Sequence, residues 1–115
     1  MNKQQRRNEC LRLLDNSFRI DINSVRINVH NCLQHEVAKL ILAYKEIKEG
    51  KQVVIEARFK GGGIADILVI DDFRVLEVLY RESLKKATKK VTKYPNELDI
   101  ELIDAKEVLK CLNTK

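Results

Sequence analysis

Between Leu33 and Ile47 the apolar residues Leu33, Val37, Leu40, Ile41, Tyr44 and Ile47 recur at helical spacing, which predicts a helix with one apolar face. Asn31 stands at its predicted N-cap with Gln34 placed as in a capping box, and the helix is expected to run to about Glu49, where Gly50 stops it. From Gln52 the period falls to two. "QVVIEARF" (52–59) alternates, with Val53, Ile55, Ala57 and Phe59 on one face and Val54, Glu56 and Arg58 on the other. Gly61-Gly62-Gly63 predicts a hairpin into "IADILVI" (64–70), and Asp71-Asp72 a second turn into "RVLEVLY" (74–80). Both of these runs are apolar on both faces, as central strands are. "SLKKATKKVTKY" (83–94) returns to helical spacing, with Leu84, Ala87, Val91 and Tyr94 inside, lysines outside and Ser83 as cap. Pro95-Asn96 ends it, "LDIELI" (98–103) reads as a fourth strand, and Asp104 caps a last helix over 104–112.

Upstream the signals are weaker. Residues 4–14 predict a short helix with Leu11 and Leu14 apolar, broken by Asp15-Asn16-Ser17. "FRIDINSVRINV" (18–29) alternates, which predicts extended chain on a sheet edge. The order is then helix, three strands, helix, strand, helix. A helical crossover between the third and fourth strands makes part of the sheet parallel. The expected fold is α/β: a four-stranded mixed sheet flanked by helices, with extra N-terminal and C-terminal helices. A length of 115 residues suits one domain, 1–115.

Hydrophobic residues at 44% and charged residues at 34% exclude a disordered chain. The polar start "MNKQQRRNEC" and the shortness of every apolar run predict an intracellular, cytoplasmic protein with no membrane association. Cys10, Cys32 and Cys111 are an odd count without CxxC spacing, so buried or half-buried free thiols are expected. His30 and His35 lack partners at ligand spacing and are read as no zinc site. The net charge of +5 is concentrated in "KKATKKVTK", where Lys85, Lys86, Lys89, Lys90 and Lys93 stand with no acid between them. Such a face suits a nucleic-acid backbone, with Arg58 and Lys60 as weaker candidates. Tyr80 and Tyr94 sit in core-facing patterns.

Two acids break the apolar strands: Asp66 in "IADILVI" and Glu77 in "VLEVLY". Burying two unpaired carboxylates on neighbouring strands costs several kcal/mol and sets them against each other. A divalent cation between them removes both problems, and Mg²⁺ binds through one or two carboxylates while keeping water for a phosphate substrate. Glu36, beside the apolar stripe of the long helix, is a third acid able to face that place. Ion pairing of Asp66 or Glu77 with Arg58 or Arg74 is the competing structural explanation.

The helix acid Glu36 in "QHEVAKL", Asp66 in "GIAD", Glu77 in "LEV" and the strand order resemble the PD-(D/E)XK nuclease superfamily over residues 31–103. In size and hairpin spacing the chain is similar to the archaeal Holliday-junction-resolvase group. The resemblance implies a restriction-endonuclease-like αβββαβ core. It implies a metal-dependent DNA endonuclease hydrolysing phosphodiesters, branched DNA included, and a homodimer. Asp66, Glu77 and the carbonyl of Val78 would hold Mg²⁺ or Mn²⁺, with Glu36 orienting water or a second metal. The chain departs from the family at Leu79, where a catalytic lysine is expected, and Ala65 replaces the proline before Asp66. Arg81, of the same strand parity as Glu77, or Lys85, Lys86 or Lys89 would have to replace that charge. Loss of one electrostatic stabiliser costs on the order of 10² to 10³ in rate. The alternative is therefore a catalytically impaired, nuclease-fold nucleic-acid-binding or assembly protein. A small interaction domain with structural acids is a third.

Overall fold

A computed structural model describes residues 1–81 and 84–113. The predicted cap Ser83 lies outside the described residues. Helix α1 covers Lys3–Leu11 and α2 covers Leu33–Lys48. Strands β1 (Val53–Arg58), β2 (Ile64–Val69) and β3 (Arg74–Leu79) form an antiparallel meander. Helix α3 (Leu84–Val91) then crosses over to β4 (Asp99–Asp104), which lies parallel to β3. The sheet order β1-β2-β3-β4 makes it mixed, as the crossover requires. A short α4 (Ala105–Leu109), capped by Asp104 onto the Lys106 amide, and a 3₁₀ turn over Lys110–Asn113 close the chain. None of the described helices is long and apolar enough to cross a membrane.

Helices cover both faces of the sheet. On one, Ala43 of α2 packs over Val53, Ile55, Ile67, Val69 and Leu76, while Ala38 of α2 meets Val78, Ala105 and Val108. The small Ala38 and Ala43 side chains let α2 approach the strands closely. On the other face Cys10 and Leu14 pack with Val54, Leu68, Ile70, Val75, Tyr94 and Leu98.

Several expectations are corrected, among them Leu84, expected inside and in fact exposed. First, Val53 and Ile55 belong to one cluster, whereas Ala57 and Phe59 join Val54 in the other. The alternation slips at Glu56, held at φ 54°, a left-handed conformation that a side chain rarely adopts. Second, residues 18–29 do not form a strand. Only Ile22 bridges to Val54, because Asn23 (φ 57°) turns the chain and exchanges hydrogen bonds with both backbone groups of Val53. Third, Asn31 does not cap α2. Cys32 stands at that position without a side-chain cap, and the Asn31 amide is turned to Glu36. Fourth, much of the apolar stripe of α2 faces outward: Leu33, Leu40 and Tyr44 are exposed, while Lys39 and Glu46 are buried with Ala38 and Ala43. Those two charges tolerate burial because each has a partner, Glu36 for Lys39 and Arg74 for Glu46. Of the cysteines, Cys10 is buried, but Cys32 and Cys111 are exposed.

Candidate functional site

The β2–β3 ladder runs from Val69–Arg74 to Ile67–Leu76 and ends there. One residue further, where Asp66 and Glu77 would face each other, their side chains take over the hydrogen bonding. The Asp66 amide donates to Glu77 Oε1 at 3.2 Å, and the Val78 amide donates to Asp66 Oδ2 at 2.8 Å. Two carboxylates side by side repel, so their other contacts decide which is ionised.

Asp66 also meets His35 Nε2 at 3.3 Å, and the Nδ1 of the same ring lies 2.7 Å from Glu36 Oε2. With a carboxylate at each ring nitrogen, both nitrogens must donate, which only the imidazolium can do. Burial pushes the His35 pKa down, but the two carboxylates outweigh it and raise it to about 9. Burial likewise works to raise Asp66, and the donors His35 and Val78 reverse it, holding the carboxyl below its usual value. Glu77 goes the other way. Burial, reinforced by the Asp66 charge, raises it against the opposing pull of Tyr94 and Lys90.

The Tyr94 hydroxyl lies 2.6 Å from Glu77 Oε1 and 2.8 Å from the Ile64 carbonyl oxygen. A hydroxyl has one proton for these two acceptors, so a protonated Glu77 would satisfy both contacts by donating to Tyr94. The Tyr94 phenol is itself pushed up, by burial and then by the Glu77 charge. Lys90, from α3, sets its ammonium 3.1 Å from Glu77 Oε2. The two acids thus differ in proton affinity, as pairs dividing acid and base roles do.

Asp66, Val78 and His35 line an open cavity of about 830 Å³. Its lining also carries Arg81 and Lys86, Lys90 and Lys93, the lysines spaced four and three apart along one side of α3 and its end. Glu56 and Tyr80 line it too. Two of its residues have non-glycine backbone at positive φ, Glu56 at 54° and Arg81 at 62°, and such outliers gather at functional sites.

Some predicted residues come together here and others do not. Glu36 stands behind His35. Its oxygens take the Asn28 amide (2.6 Å), Lys39 (2.6 Å), Asn31 (3.1 Å) and His35, which hold its pKa down to about 2 against the upward push of burial. Val78 reaches Asp66 through its amide. Arg81 stacks over the Tyr80 ring, 5.1 Å from its centroid. Arg58 stacks on Phe18 at 4.4 Å, outside the residues lining this cavity, and Lys60, Lys85 and Lys89 are exposed outside it as well. Neither acid pairs with Arg58 or Arg74 in the ion pairs formed by the described residues. Arg74 instead binds Glu46, Asp72 and Glu101. The sequence pattern does not single out His35, Tyr94 or Asn28 for this site. Zinc-ligand spacing is the wrong test for His35, whose signal is its adjacency to Glu36. Tyr94 reads as core, which holds for its ring and not for its hydroxyl.

For a divalent cation, Asp66 and Glu77 supply oxygen donors of the right kind. Among the described residues no group of three His, Cys, Asp or Glu side chains converges on one point, so further ligands would come from water and substrate. No family model matches the chain, and neither a curated protein nor a solved structure does.

Proposed function

We propose that the chain has a restriction-endonuclease-like fold, belongs to the PD-(D/E)XK superfamily and is a metal-dependent DNA endonuclease, with branched DNA among its substrates. One observation carries the reading: Asp66 and Glu77 are interlocked across β2 and β3 beside an open cavity that Lys86, Lys90 and Lys93 also line. The helix-strand-strand-strand-helix-strand order and the parallel β3–β4 pair support it. Asp66 and Glu77 would hold Mg²⁺ or Mn²⁺, which on binding supplies positive charge for the scissile phosphate and lowers the pKa of a water.

The remaining chemistry falls to the chain. Lys90 supplies the ammonium that Leu79 lacks, delivered from α3 to Glu77 and not from β3. Lys86, Lys93 and Arg81 hold the nucleic-acid backbone. His35 orients the Asp66 carboxylate and is held in turn by Glu36. The test is cleavage of linear and branched DNA with Mg²⁺ or Mn²⁺. Turnover is expected for the native chain, and a loss of at least about 10²-fold for Asp66→Ala and Lys90→Met. Equal cleavage by native protein and Asp66→Ala would overturn the assignment.

A second reading, a nucleic-acid-binding module without catalysis, has its own support. The Asp66 and Glu77 carboxylates are already engaged by His35, Lys90, Tyr94 and two amides. Salt-sensitive DNA binding without turnover, indifferent to metal, would establish that reading instead.

A further inference from the structure

Helix α2 carries an outward seam that the fold does not use. Leu33, Val37, Leu40, Tyr44 and Ile47 follow one another at intervals of four, three, four and three, the spacing by which one helix packs along another. Leu33 is 75% exposed, Leu40 49% and Tyr44 60%. Beside the seam, exposed Val25 and Ile27 form the other bank of an apolar groove of about 260 Å³. Soluble domains leave apolar surface of this extent where something covers it.

The spacing suits a helix as occupant, and the order of side chains suits a second α2. Leu40 stands near the middle of the seam. A second α2 laid antiparallel about Leu40 sets Leu33 against the copy's Ile47 and Val37 against its Tyr44, so each large side chain meets another. The seam spans roughly 21 Å at the helical rise of 1.5 Å per residue. Six large apolar side chains standing a third to three-quarters exposed leave on the order of 600 Å² per copy, so a two-fold pair buries about 1,200 Å², the lower bound for a specific interface. Antiparallel packing also opposes the two helix dipoles favourably.

We propose that this chain forms a two-fold homodimer through the seam of α2, with Val25 and Ile27 widening the contact. None of the seam residues, nor Val25 or Ile27, lines the Asp66 cavity, and the interface stands independently of the nuclease reading.

Sedimentation velocity over about 1 to 200 μM tests it, a range bracketing the micromolar affinity of a small interface. The native chain is expected to pass from monomer to twice the monomer mass, and Leu40→Glu to remain monomeric with an unchanged far-UV spectrum. A native chain that stays monomeric throughout overturns the proposal, as does a dimer that survives both Leu40→Glu and Tyr44→Glu. Should Leu40→Glu unfold, a second variant decides. In a chain with Cys32→Ser and Cys111→Ser, Leu40→Cys is expected to cross-link to its copy with a short bis-maleimide, because Leu40 faces itself across the axis. Absence of that link overturns the arrangement.

Discussion

At the scale of single residues, His35 has its pKa raised to about 9 by two carboxylates, and Glu36 is lowered to about 2 by four donors, in each case against burial. A raised histidine contributes stability that is whole below its ordinary value of 6.5 and is lost as pH climbs to about 9. A lowered glutamate contributes stability present above 4.5 and lost as pH falls toward about 2. Glu77, raised, acts in the same direction as His35. In the presence of a chelator, the free energy of unfolding should therefore peak between about pH 4.5 and 6.5, with a fall on the alkaline side that His35→Gln flattens. Urea titrations at successive pH values measure this, and an alkaline limb unchanged in His35→Gln would show that the histidine is not so held. Tyr94→Phe probes the other side of the pair. It leaves the Ile64 carbonyl and Glu77 Oε1 without the hydroxyl, at a cost of about 1 to 3 kcal/mol in the same titration.

At the scale of elements, the hairpin between β1 and β2 shows how one element sets another. Gly63 sits at φ 85°, and a Cβ there would lie 3.0 Å from the Tyr94 ring whose hydroxyl contacts Glu77. Gly63→Ala therefore combines backbone strain with displacement of a ring that also packs on Phe59. The expected loss is about 1 to 3 kcal/mol in thermal or urea unfolding. Gly61→Ala, where a Cβ meets nothing, is the matched control and should be close to neutral. The hydrophobic pattern is a good guide to which elements form and a poor one to which way they face. The four strands and the helices α2 and α3 are legible because period two and period 3.6 are distinct over these lengths. Asp66 and Glu77 are conspicuous for the same reason, as acids in runs otherwise apolar. The orientation of α2 is not legible. Both of its faces carry apolar residues, and the buried one is marked by small Ala38 and Ala43 and by two charges, Lys39, paired with Glu36 on the same helix, and Glu46, whose partner Arg74 lies far away in sequence. Nor does alternation foresee Glu56, since a single positive φ exchanges the faces of everything after it. The sequence points to lysines of the next helix, Lys85, Lys86 or Lys89, as replacements for the charge missing at Leu79, but spacing alone does not say which lysine reaches Glu77, and it is Lys90 that does.

Over the whole molecule the net charge of +5 matters less than its division between two sides of α3. Lys86, Lys90 and Lys93 line the cavity, and Lys85 and Lys89 lie outside its lining. A solvated helix treats all five alike, whereas a bound nucleic acid separates them. Each phosphate that a lysine no longer neutralises takes about 0.9 off the slope of log K against log salt on duplex DNA. The double variant Lys86→Gln/Lys93→Gln, which leaves the Lys90–Glu77 pair intact, should therefore lower that slope by about 1.8. Lys85→Gln/Lys89→Gln removes the same formal charge from the whole and should leave the slope nearly unchanged. Because the two variants match in charge and helix, long-range attraction of DNA to a basic protein would weaken both equally. A difference between them in fluorescence-anisotropy titrations across a salt series would thus locate the polyanion at the cavity that Asp66 lines, and equal slopes would remove nucleic acid from that position.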